Sequence, residues 1–169
     1  ALRKSRELSQ LNKAADFFGK AMTLDPGFAR AYAGMCEVGV GRYYKTQAPA
    51  DVAAAETACR KALELEPTRD ETEMALGSLY LASGRYEQAE SVFTSLTARR
   101  PQDAEVYAGL ANAQAGLDRR EDAERSYRAA LDRWPSDELV LFAAAGQRYT
   151  AGDLAAATAL YRQVVAAAP

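Results

Sequence analysis

The chain has 169 residues, 49% hydrophobic and 26% charged, a composition that fits one compact domain and excludes a disordered or collagen-like polymer. Its 21 basic and 23 acidic residues leave a net charge of −2 and are interleaved, as in Asp118-Arg119-Arg120-Glu121-Asp122, which argues against a nucleic-acid partner. Histidine is absent and only two cysteines occur, which excludes Ser-His-Asp or Cys-His catalysis, a His-ligated zinc and a Cys-only zinc site.

In chain order, the first landmarks are Ala14, Phe18 and Pro26. The same trio recurs as Ala55, Cys59 and Pro67, then as Ala89, Phe93 and Pro101. It returns as Ala123, Tyr127 and Pro135, and as Ala157, Tyr161 and Pro169. The spacing is 34 residues throughout, except for 41 between the first two sets. Such a clock is the signature of a repeat architecture.

Each period reads as two helices. Leu76, Leu79 and Tyr80 recur at helical spacing, Ser83-Gly84 interrupts, and Tyr86, Ala89, Val92, Phe93 and Leu96 resume it. Gly84 suits a left-handed helix end, Pro101 ends the second helix, and Asp70 and Asp103 are expected to cap the helices after them. Gly77 and Ala89 are small enough for the paired helices to approach closely. The longer second period contains RYYKTQAPADV, Arg42–Val52. There the first helix is expected to run about a turn further, with Pro49 closing a loop and Asp51 capping the next helix.

Glu73-x2-Leu76-Gly77-x2-Tyr80, Ala89-x3-Phe93 and Pro101, with Tyr107-x2-Leu110-Ala111-x2-Gln114, Ala123-x3-Tyr127 and Pro135, follow the 34-residue pattern W-x2-L-G-x2-Y…A-x3-F…P, with Glu73 in place of its tryptophan and Gln114 in place of its tyrosine. The chain therefore resembles the tetratricopeptide repeat family. The resemblance implies an all-α, right-handed solenoid of about 4.5 helix-turn-helix units, with bounds near 1–28 (partial), 29–69, 70–103, 104–137 and 138–169. The chain is expected to begin partway through the first helix of its first unit. Leu24–Met35 and Ala62–Ala89 also resemble arrays in larger bacterial signalling proteins, and a start at Ala1 rather than Met is read as an excised piece of one. No signal peptide is visible. The most apolar stretch, Leu139–Gly146, is too short to span a bilayer. The expected compartment is the cytoplasm, or the periplasm if the parent is membrane-anchored.

The family resemblance implies a concave surface lined by the first helix of each pair. Helical periodicity assigns to it Ala33, Glu37, Val40 and Tyr44, then Met74, Ser78 and Leu81, then Ala108, Asn112 and Ala115, then Phe142, Gly146 and Tyr149, with Glu71 and Glu105 at the helix starts. Family members that grip an acidic C-terminal tail need cations there. Here only Asn112 has a suitable type, so an apolar or basic peptide or helix is the expected partner. The chain is read as a protein-interaction scaffold, with no cofactor and no enzymatic activity. The alternative is a regulatory or assembly domain that self-associates through its end, where Leu154, Leu160, Val164 and Val165 make an apolar flank. Carboxylates such as Glu64, Glu66 and Glu124 read as solvated surface charge. Cys36 and Cys59 read as two small buried hydrophobes, and Trp134 as a ring packed across its turn onto the next unit.

Overall fold

The computed structural model describes residues 2–167; Pro169, the last proline of the series, lies outside them. Among the described residues there are nine α-helices and no strand: α1 Leu2–Leu24, α2 Ala29–Thr46, α3 Pro49–Leu65, α4 Asp70–Ala82, α5 Tyr86–Arg99, α6 Ala104–Gly116, α7 Arg120–Arg133, α8 Glu138–Thr150 and α9 Leu154–Ala167. The chain divides into two compact units at Ser83/Gly84, so α1–α4 form one and α5–α9 the other.

The periodicity of the sequence reappears in the backbone. Glu66, Arg100 and Trp134 close α3, α5 and α7 with ψ of 85°, 60° and 64°, because the proline that follows each one disfavours the α region. Each still donates its N–H to the carbonyl four residues back. Between the helices of successive pairs, Gln47, Gly84, Asp118 and Gly152 carry a positive φ of 57°, 74°, 57° and 83°. Glycine adopts that conformation without a Cβ penalty, as expected for Gly84. Gln47 and Asp118 adopt it with side chains.

Capping follows the 34-residue register more closely than residue type. Asp103 and Asp137 cap α6 and α8, accepting from the N–H groups of Glu105 at 3.0 Å and Val140 at 3.1 Å. Asp70 is not a cap. The position that matches Asp103 is Arg69, which makes no side-chain cap bond, and Asp70 is the first residue of α4.

In the first unit α2 packs against α1, α3 and α4, and α3 also meets α4. The crossing of α2 and α3 is tight. A Cβ on Gly39 would lie 2.7 Å from the Ala55 Cβ, so only glycine permits this approach. Phe18 of α1 fills the space over Gly34, where a side chain would overlap the ring. α1 is one unbroken helix of 23 residues, with no turn within it.

The long second period has no added loop. α2 has 18 residues and α3 has 17, against 13 in α4 and 14 in α5, while the link between α2 and α3 shrinks to Gln47 and Ala48. Pro49 opens α3, a position where its missing N–H costs nothing. Asp51 is not the cap; it lies in the first turn of α3, buried, and joins the three helices. It accepts from Arg42 Nε at 3.0 Å and Thr46 Oγ1 at 2.5 Å, and Arg42 Nη1 donates to Asn12 Oδ1 of α1 at 2.8 Å.

Cys36 and Cys59 are bonded to each other rather than separate thiols. Their register positions are those of Ala111 and Tyr127, which pack in one buried cluster with Ala123 and Ala144. The disulfide thus stands where the other unit places a small residue against an aromatic ring. That equivalence is readable from the 41- and 34-residue spacing, which sets Cys36 and Cys59 on facing helices of one pair; two small side chains at a crossing built for a small residue and a ring lie close enough to bond.

In the second unit α6 meets α5, α7 and α8, and α8 meets α7 and α9. Phe93 of α5 covers Gly109 as Phe18 covers Gly34, both sixteen residues on. Trp134 packs its ring onto Tyr107 of α6, on the helix pair that precedes its turn. The ring centroids are 5.3 Å apart, and the Arg133 guanidinium lies 5.5 Å and 5.8 Å from the two rings.

Candidate functional site

The first-helix stripe assigned from periodicity divides into buried and exposed members. In the first unit Ala33, Val40 and Met74 are buried. Ala33 and Val40 lie on α2, which touches three helices and so buries more than one face, and Met74 lies on α4, which packs against both α2 and α3. Glu37 is exposed, Ser78 and Leu81 are half-buried, and Tyr44 is 52% exposed. The Tyr44 hydroxyl donates to the Ser78 carbonyl at 3.3 Å, tying the long end of α2 to α4. Tyr43 turns inward and donates to the Ala82 carbonyl at 3.3 Å. Lys45 pairs with Glu7 of α1 at 2.6 Å, so its charge is spent within the unit.

In the second unit Ala108 is buried, while Ala115 is half-buried against the cluster around Tyr127. Asn112 is exposed, and its Oδ1 accepts from the buried Tyr127 hydroxyl at 2.7 Å. That bond holds the amide oxygen. Burial pushes the Tyr127 phenol well above its ordinary value. Phe142 and Tyr149 are 59% and 63% exposed on α8. The Phe142 ring meets the edge of Tyr161 at 5.7 Å, which holds it in place without covering it. Gly146, between them, is half-buried. Glu71 and Glu105 are exposed at the starts of α4 and α6.

On α9, Leu160 packs against the Tyr127 cluster, Val164 is half-buried and Val165 is 75% exposed. The carboxylates Glu56, Glu66, Glu90 and Glu124 are engaged by arginines, as in Arg60–Glu56 at 2.8 Å and Arg69–Glu66 at 2.7 Å. Among the described residues no group of three or more metal-ligating side chains converges, and no helix is long and apolar enough to cross a membrane.

Comparison with solved structures returns helical-repeat proteins. A thermophilic TPR protein of Thermus thermophilus superposes with a TM-score of 0.77 at 22% identity, over 96% of this chain and 85% of that one. MamA of Desulfovibrio magneticus gives 0.73 at 19% identity over 97% and 90%. PilF of Pseudomonas aeruginosa gives 0.74 at 18% identity over 95% and 70%. At these identities the likeness is one of fold. No curated protein matches the chain. The tetratricopeptide-repeat family model matches residues 48–113 and 83–145, more than half of the sequence. Together with the helix lengths and the register of alanine, aromatic and proline, this makes the chain a member of the tetratricopeptide repeat family.

Proposed function

We propose that this protein is an interaction scaffold that holds a peptide or helix of a partner on the first-helix faces of its repeats, and that it performs no chemistry itself. The observation that carries this reading is the exposure of large rings on those helices: Tyr44 on α2, and Phe142 and Tyr149 on α8. Exposed aromatic side chains on a rigid helix are typical anchors for binding, because they offer large contact area at little entropic cost. Glu37, Glu71 and Glu105 are exposed on the same series of first helices, and acidic residues there favour an apolar or basic ligand over an acidic tail. Asn112, exposed and held at its Oδ1 by Tyr127, adds a polar contact point.

The test is selection of a displayed peptide library on the full chain. Enrichment of apolar and basic sequences is expected, with loss of capture by Phe142→Glu plus Tyr149→Glu. Enrichment of acidic sequences, or capture indifferent to both substitutions, would remove the reading.

A second reading rests on Val165, whose exposure at the end of α9 favours self-association. It predicts that Val165→Glu abolishes any concentration-dependent dimer in sedimentation while peptide capture persists. The Cys36–Cys59 bridge favours an oxidising compartment, such as a periplasm, over the cytoplasm.

A further inference from the structure

Trp134 is the only tryptophan of the chain, and it stands outside the first-helix faces. The turn after α5 and the turn after α7 line one cleft of about 590 Å3, with Pro101, Glu105, Trp134 and Leu139 among its walls. Tyr107 backs the indole, with the ring centroids 5.3 Å apart. Arg133 Nη1 donates to the Tyr107 hydroxyl at 3.0 Å and to the Pro101 carbonyl at 3.4 Å, while its guanidinium lies against both rings. The aromatic wall is thus held in place by contacts within the protein, so a ligand need not order it on binding.

The repeat register shows that this wall is particular to one place in the chain. Trp134 holds the position of Arg100, Glu66 and Asp25, and Leu139 holds that of Glu105, Glu71 and Arg30. Glu105, Glu71 and Arg30 are all exposed, so the 56% exposure of Leu139 is a property of its position, which elsewhere carries a charge. Only here does the edge of the repeats bear a tryptophan and a leucine together.

The charges around the cleft cancel. Arg100 pairs with Asp103 at 2.5 Å, Arg99 is engaged as well, and Asp103 and Asp137 accept from the backbone as helix caps. What is left is one charge of each sign, Arg133 with neutral partners and the exposed Glu105. The lining therefore selects for no net charge. Among the described residues the Trp134 indole N–H has no hydrogen-bond partner, and it is not one of the buried unpaired groups, so it is a donor open to a ligand.

We propose that this cleft binds a proline-rich, extended segment of a partner protein. An aromatic face beside a free N–H donor fits an occupant with apolar rings and unpaired carbonyls. A polyproline II segment offers both, because it makes no internal hydrogen bonds and enters aromatic-lined grooves already in its bound shape. A helix presents no free carbonyl along its side, since its own N–H groups consume them. Of the residues named for the first-helix faces only Glu105 lines the cleft, so the two sites can succeed or fail separately.

The experiment uses the full chain and a capped, fluorescein-labelled proline peptide of about ten residues, which is polyproline II in water. Saturable anisotropy is expected, with a parallel change in the emission of Trp134, the sole tryptophan. A capped alanine–glutamine peptide of the same length, also uncharged, is expected to give neither. Leu139→Glu and, separately, Trp134→Phe are each expected to weaken proline binding about tenfold. The first places a carboxylate on the apolar wall. The second keeps a ring against Tyr107 and removes the donor, and thermal unfolding checks that both variants are folded. Phe142→Glu plus Tyr149→Glu should leave proline binding unchanged. Binding abolished by that pair would put the peptide on the first-helix faces, which overturns the proposal and leaves the scaffold reading standing. Failure to saturate, equal binding of the alanine–glutamine peptide, or full affinity in either cleft variant would also overturn it. So would preference for a peptide with glutamate at alternate positions, which would make Arg133 the centre of an anion site.

Discussion

Single atoms decide several positions in this protein. A side chain at Gly109 would overlap the Phe93 ring, itself buried, so Gly109→Ala must displace a core aromatic. We expect a loss of about 1–3 kcal/mol in urea unfolding, the usual cost of overpacking. Gly19 has the opposite surroundings, with open space at its Cβ inside a helix, so Gly19→Ala should stabilise by about 0.5–1 kcal/mol. Tyr127 gives a pH signature. Burial raises its folded pKa above the ordinary value of 10.0. The stability contributed by the neutral phenol is therefore fully present below that value and declines as pH rises beyond it. Chemical denaturation between pH 8 and 11 should show that decline, and Tyr127→Phe should flatten it. Residue type alone misled at Asp70, which is an aspartate at a helix start yet not the cap. The 34-residue register assigns the cap to Arg69 and to Asp103, and counting outperforms local preference there.

At the scale of elements, the register of alanine and aromatic was legible because each pair marks a helix crossing, as Gly39–Ala55 and Gly109–Phe93 show. Which face of α2 stays exposed was not legible. Periodicity separates two stripes, but α1, α3 and α4 together cover Ala33 and Val40 as well as the expected core. The helical pattern of the second period already pointed to a longer α2, but not to a lengthened α3 with only Gln47 and Ala48 between them. Asp51 stabilises that lengthened pair through Arg42 and Thr46. Asp51→Ala leaves a part-buried arginine unmatched and should cost about 1–3 kcal/mol, more than Asp122→Ala on the solvated side of α7. The Cys36–Cys59 bridge closes the same two helices. Reduction should lower stability by about 3 kcal/mol in the loop-entropy description. Thiol alkylation of the native protein should label neither cysteine before reductant and both after denaturing reduction.

For the whole molecule, stability in a repeat protein is a sum over neighbours, so damage should stay local. After reduction, hydrogen exchange is expected to accelerate in α2 and α3 and to remain slow in α6 and α8. The family was legible at this scale from the spacing of five prolines and five alanines. The partner was not, because the rings that would contact it, Tyr44, Phe142 and Tyr149, carry no spacing rule of their own. Hydrogen-exchange mapping of the chain bound to a library-selected peptide tests the scaffold reading most directly. Protection concentrated on α2 around Tyr44 or on α8 around Phe142 and Tyr149 is the predicted result. Protection confined to α9 around Val165, or none on any first helix, would contradict it.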